Sequence, residues 1–184
     1  MSLRFASLGS GSRGNATLIQ TGDALVMLDC GYPAAEIGRR CEALGVAAAA
    51  IDAILVTHEH GDHIRGVLPM TRRHGTPVWA THGTSLALDW EAQGLAVHLC
   101  HGHDAAFRIG DLEIVPFVVP HDAREPVQYL FRCRDLTLGV LTDTGSVTPV
   151  IRQHLDGVDA LILEFNHDPE MLASGPYPPS LQRR

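Results

Sequence analysis

The segment His58-Glu59-His60-Gly61-Asp62-His63 constrains this chain more than any other. It follows directly on the apolar run 53–57 (AILVT), which reads as a short buried strand. In extended backbone, side chains two positions apart point the same way. His58 and His60 can therefore reach one cation while Glu59 points elsewhere. Gly61 permits a sharp turn. Asp62 and His63 then open a helix and can face a second cation beside the first. Three imidazole nitrogens and a carboxylate oxygen suit zinc, manganese or iron. The spacing is not the H-E-x-x-H of helix-borne zinc proteases. Metal ligands commonly arrive from several strand ends, and two later positions fit. His121 follows the run 112–119 (LEIVPFVV), and Asp143 follows 136–141 (LTLGVL). A carboxylate placed like Asp143 can bridge two cations roughly 4 Å apart.

The remaining pattern supplies the frame for such a site. Residues 3–8, 16–20 and 24–29 read as strands, the last two joined by a turn at Thr21-Gly22-Asp23. Residues 33–44 read as a helix that begins near Pro33 and ends at Gly45. Residues 62–74 read as a second helix, with Pro69 as a weak point inside it. A strand (77–81) and a helix (84–92) follow. Then come strands at 95–100, 106–109, 112–119, 127–133 and 136–143, a helix near 147–154 and a strand at 159–165. Long runs of strands mixed with helices predict an α/β chain of two sheets with helices outside.

Composition excludes several classes. The 184 residues suit one domain able to bury a core. Apolar residues at 45% fit a globular chain, not a disordered one. No apolar run approaches the roughly 20 residues of a membrane helix, and the first residues lack a secretory signal pattern. A net charge of −7 argues against a generally basic wrapper of nucleic acid. Bound cations and local arginines can still reverse the sign at one face, so a nuclease stays open. Cys30, Cys41, Cys100 and Cys133 form no C-x-x-C pair and read as reduced thiols of a cytoplasmic protein. Of the other histidines, His74, His82, His98, His101, His103 and His154 read as incidental. The loop 9–15 (GSGSRGN) is rich in backbone donors and could meet a phosphate through Ser12 and Asn15, but it lacks the Lys-Ser/Thr of a P-loop.

Together, H-x-H-x-D-H after a strand, then a lone histidine, then an aspartate at a strand end resemble the metallo-β-lactamase superfamily. The closer resemblance is to its YycJ/WalJ-like exonuclease branch. It is carried by GSGSRGN (9–15), LDCG (28–31), the motif 58–63, PHDA (120–123), TDTG (142–145) and EFNHD (164–168) with Met171-Leu172 beyond. The resemblance implies an αββα sandwich over 1–184 with metals at the edge of the paired sheets. It implies two divalent metals (Zn or Mn) held by His58, His60, Asp62, His63, His121 and Asp143. Asp29 then orients a ligand histidine. His167, supported by Glu164, is a candidate general acid, and Asp62 is a catalytic group as well as a ligand.

The family pattern continues into a segment bearing a further histidine, which this sequence does not contain. The expectation is therefore a chain lacking its C-terminal elements, with a better first site (His58, His60, His121, Asp143) than second. Exposed apolar surface or oligomer contacts are expected to follow. The function expected is phosphodiester cleavage by a metal-bound hydroxide, with DNA as the partner substrate in an exonuclease reaction. The alternatives are hydrolysis of a small cyclic phosphate, thioester or lactone on the same fold, or a metal-binding module without activity.

Overall fold

A computed structural model describes residues 2–103 and 105–164, with Glu170, Ser174 and Gly175. Its first sheet holds β1 (Arg4–Gly9), β2 (Ala16–Gln20), β3 (Leu25–Leu28), β4 (Ala53–Leu55), β5 (Val78–Thr81) and β6 (Val97–Cys100), in that order. The second holds β7 (Phe107–Ile109), β8 (Leu112–Val118), β9 (Val127–Cys133), β10 (Leu136–Leu141) and β11 (Ala160–Leu163), also in chain order. β1 to β3 form an antiparallel meander, and β3 to β6 pair parallel. In the second sheet β7 to β10 are antiparallel, and β11 joins β10 in parallel.

The layers follow from which face of each strand is apolar. β3 is apolar throughout because both its faces are covered. Val26 and Leu28 point between the sheets, where they meet Leu112, Ile114, Tyr129 and Phe131. Leu25 and Met27 point outward against α1 (Ala34–Ala43) and α3 (Val67–His74), through Ile37, Cys41, Val67 and Met70. Val115, Phe117, Leu130 and Leu141 line the other outer face, where Ile151 of α5 (Pro149–Leu155) covers them. Helix, sheet, sheet and helix therefore stack in the expected αββα order.

Two local readings change. The helix expected at 62–74 is two helices, α2 (Gly61–Ile64) and α3, separated at Arg65-Gly66. The break is not at Pro69, which sits in the first turn of α3 where no intrahelical N–H bond is lost. Gly66 is packed instead against the Tyr32 carbonyl and Cys30 Sγ, too closely for a side chain. The helix expected at 84–92 is α4 (His82–Ala87), started by Thr81, whose Oγ1 accepts from the Thr84 N–H.

Leu161 and Leu163 of β11, the outermost strand of the second sheet among the described residues, are exposed. All four cysteines are free and buried, and burial pushes the Cys30 thiol up to about 12. No helix among the described residues is long and apolar enough to cross a membrane.

Candidate metal centre

The carboxyl ends of β3 and β4 meet the loops after β8 and β10 at one edge of the sandwich. β3 ends at Asp29, and β4 runs through Val56 and Thr57 into the histidine motif. The crossing is close. The Cys30 N–H donates to the His63 carbonyl at 2.7 Å, and the Asn15 N–H to the Asp62 carbonyl at 2.7 Å. Gly31 lies so near the Asp62 carbonyl that a side chain there would collide with it. Asp29 and Asp143 both adopt left-handed backbone, with φ of 56° and 36°. That conformation costs roughly 1–2 kcal/mol in an L residue, and both sites of strain bear carboxylates of the centre.

The hydrogen bonds fix how each imidazole is turned. The Thr57 hydroxyl donates to Asp29, 3.0–3.1 Å from its two oxygens, so its oxygen is left to accept from His58 Nδ1–H at 2.9 Å. His63 Nδ1–H donates to Asp29 Oδ2 at 2.8 Å. His60 Nε2–H donates to the Asp122 carbonyl at 3.2 Å, and His121 Nδ1 lies 3.3 Å from Asp122 Oδ1. Each histidine is thus anchored through one nitrogen and turns the other inward. His60 Nδ1 and His121 Nε2 face each other at 3.3 Å. His63 Nε2 is 3.2 Å from Asp143 Oδ2 and 3.6 Å from Asp62 Oδ2. His58 Nε2 is buried without a hydrogen-bond partner among the described residues.

Electrostatics agree with this arrangement. Burial, reinforced by the charge of His63, pushes His58 down to about 2. Burial also lowers His121, against the pull of Asp143 and Asp122. Burial works against a charged His63 too, but the Asp29 and Asp143 carboxylates overcome it and hold this group up to about 10. Asp143 is held down to about 2: burial raises it, and the bond to His63 and the nearby imidazole charge outweigh that. Neutral His58 and His121 and an ionised Asp143 are in the donor states that a cation requires, whereas a charged His63 has to release its Nε2 proton to bind one. Facing lone pairs and a buried orphan nitrogen are the arrangement that a cation would satisfy, and the residues fit one.

Two groups of three bring ligand atoms within 4.8 Å of one another: His58, His60 and His121, and His58, His63 and Asp143. His58 is common to both groups. Asp62 lies at the rim, half-buried, its carboxylate accepting from Asn15 Nδ2 at 3.3 Å. The Gly11 N–H donates to Asn15 Oδ1, which turns the amide nitrogen toward His63 Nε2 at 3.0 Å. Ser12 is exposed on a turn. Glu164 Oε2 accepts from the Asp143 N–H at 3.5 Å. His167 lies outside the described residues.

Four contributors escaped the sequence reading. Thr57 links Asp29 to His58. Gln128 donates to the Thr142 carbonyl and hydroxyl, fixing the residue before Asp143. Glu59 and Glu125 hold the loop that bears His121. Thr57, adjacent to the motif, and Glu59, inside it, had a positional signal, whereas Gln128 and Glu125 had none.

Comparison with known proteins matches the geometry. A family model described as the Beta-lactamase superfamily domain covers residues 26–179. The chain is 36% identical over 195 residues to Exodeoxyribonuclease YycJ of Bacillus anthracis, spanning 100% of this chain and 70% of that protein. It is 32% identical over 190 residues to Exodeoxyribonuclease WalJ of Streptococcus pneumoniae, spanning 98% and 69%. Among solved structures, the metallo-β-lactamase fold protein YhfI of Bacillus subtilis superposes with a TM-score of 0.75 at 18% identity, covering 90% of this chain and 71% of that one. Four stacked layers, histidines turned inward at the sheet edge and a family model spanning most of the residues lead to one assignment: the chain belongs to the metallo-β-lactamase superfamily.

Proposed function

We propose that this chain is a metal-dependent phosphodiesterase that degrades DNA as an exonuclease. The observation that carries the reading is the convergence of four inward-turned imidazoles and the Asp143 carboxylate on one edge of the sandwich, with His58 and His63 buried and the others half-buried. The substrate follows from the relatives, two of which are named exodeoxyribonucleases. His58, His60 and His121 would hold one divalent cation. Asp62, His63 and Asp143 would hold the second, with zinc or manganese the fitting ions. When bound, such cations lower the pKa of water and neutralise charge on a phosphate. The chain's own residues do the rest. Asp29 and Thr57 engage Nδ1 of His63 and His58 and so aim both Nε2 atoms inward. Asp62, at the rim, would accept a proton from the attacking water. Ser12 and Asn15 present polar groups to a phosphate, and His167 is the proposed donor to the leaving oxygen. The free, buried thiols support a cytoplasmic location, and the exposed leucines of β11 support contacts with further protein surface.

End-labelled single- and double-stranded DNA with Mn²⁺ or Zn²⁺ tests the reading. Stepwise shortening is expected, abolished by a chelator and by His60→Ala or Asp143→Ala. Turnover of a small cyclic phosphate, thioester or lactone, with DNA untouched, would replace DNA as the substrate. A protein that takes up no metal would overturn the reading.

A further inference from the structure

The loop 119–126 delivers His121, and two carboxylates fasten it from neighbouring elements. Glu59 Oε1 accepts from the Arg124 N–H at 2.7 Å. Glu125 Oε2 accepts from the Gly83 N–H at 2.6 Å, at the start of α4, while the Glu125 carbonyl accepts from the Thr81 hydroxyl at 2.8 Å. A Cβ on Gly83 would strike the Glu125 side chain, so backbone and carboxylate are in direct contact. Backbone bonds add to these ties: Gly145 N–H to the Pro120 carbonyl at 2.7 Å, and Val127 N–H to the Thr57 carbonyl at 3.0 Å. Glu59 is the residue between His58 and His60, and alternation along the chain sends it away from them. Its second oxygen, Oε2, is buried with no hydrogen-bond partner among the described residues. A buried carboxylate oxygen left unpaired is unfavourable, and the bond from Oε1 to the Arg124 N–H is what holds the side chain there.

We propose that Glu59 and Glu125 are positioning residues of the metal centre, clamping the loop 119–126 so that His121 and the Asp122 carbonyl meet His60. The coupling runs in both directions. The same segment 58–60 supplies two inward nitrogens and, through Glu59, the acceptor that holds the third ligand's loop. The Asp122 carbonyl in turn accepts from His60 Nε2–H and fixes which His60 nitrogen faces inward. Glu59 thereby ties the presentation of His121 to that of its own histidine neighbours. A backbone N–H is the donor in both clamps, so the requirement is an acceptor oxygen, not a negative charge.

This inference rests on the metal-centre reading, and the experiment separates the two. Co²⁺ is titrated into the metal-free wild-type protein, following stoichiometry and the visible d–d spectrum. No uptake by the wild type would remove the centre itself. Given uptake, Glu59→Ala is expected to weaken one cation about 10- to 100-fold and to alter its spectrum. Glu59→Gln, whose amide oxygen can accept the same N–H, is expected to restore both. Glu125→Ala and Glu125→Gln, on the other clamp, should repeat the pattern and serve if Glu59→Ala does not fold. Wild-type affinity and spectrum in both alanine variants would overturn the proposal, as would equal losses in the alanine and glutamine variants.

Discussion

Asp29 Oδ2 lies 2.8 Å from His63 Nδ1, and the same carboxylate accepts from the backbone N–H and the hydroxyl of Thr57. One buried side chain therefore orients two histidines, His63 directly and His58 through Thr57. Buried carboxylates persist where their oxygens are fully engaged, and here the engagement fixes tautomers.

This relationship gives a pH dependence in the metal-free protein. Burial disfavours a charged His63, but Asp29 and Asp143 hold it up to about 10. An unfolded histidine titrates near 6.5. The folded value is the higher one, so the stability it contributes is fully present below about 6.5 and fades as pH rises toward 10. Chelator-treated wild type should lose stability across that window in denaturant titrations. Asp29→Asn should flatten this slope and weaken metal binding about 10- to 100-fold. Identical slopes in the two proteins would count against the pair.

Thr57→Val keeps the volume and removes the hydroxyl. Asp29 and His58 each lose a partner in a buried place, a loss of about 1–3 kcal/mol. Urea unfolding should show this, with Thr57→Ser close to wild type. Metal affinity should fall in the valine variant alone, and an unchanged affinity would remove Thr57 from the centre.

Arg13 and Arg124 are exposed on the loops that carry Asn15 and His121 beside the candidate metal centre. The arginine ion pairs among the described residues involve Arg39, Arg40, Arg108 and Arg132 instead. In a nuclease, Arg13→Ala and Arg124→Ala should each lower the slope of log affinity for DNA against log salt by about 1. Binding measured between low and moderate salt with a chelator present checks this, and unaltered slopes would place the DNA track elsewhere.

Tyr129 separates support from chemistry. Its hydroxyl, buried between the sheets, donates to the Val56 carbonyl at 3.0 Å, two residues before His58. Tyr129→Phe should cost about 1 kcal/mol, seen as a melting decrease of roughly 2–4 °C, with metal affinity within about twofold of wild type. A tenfold loss of affinity would show that this strut also shapes the centre.

Much of this was legible in the residues. His58, His60 and His63 were readable because an extended segment followed by a turn leaves few ways to point three imidazoles. Two sheets with helices outside were readable because long runs of strands are mixed with helices, and the αββα order followed from the family resemblance. The helix break at Gly66 was not readable. Its cause is a close approach to Tyr32 and Cys30, more than thirty residues earlier in the chain. Glu59 was legible only as a side chain pointing away, with its destination unspecified.

The sequence by itself determined the donor types, their order along the chain and their delivery at strand ends, because alternation and turn chemistry are local. Tertiary structure alone decided the orientation of each imidazole, the nearness of His58 to both groups of candidate donors and the fastening of the His121 loop. Those depend on which nitrogen finds an outer acceptor. The acceptors, Asp29, Asp122 and Glu59, reach their partners only when β3, β4 and the loop after β8 converge at one edge.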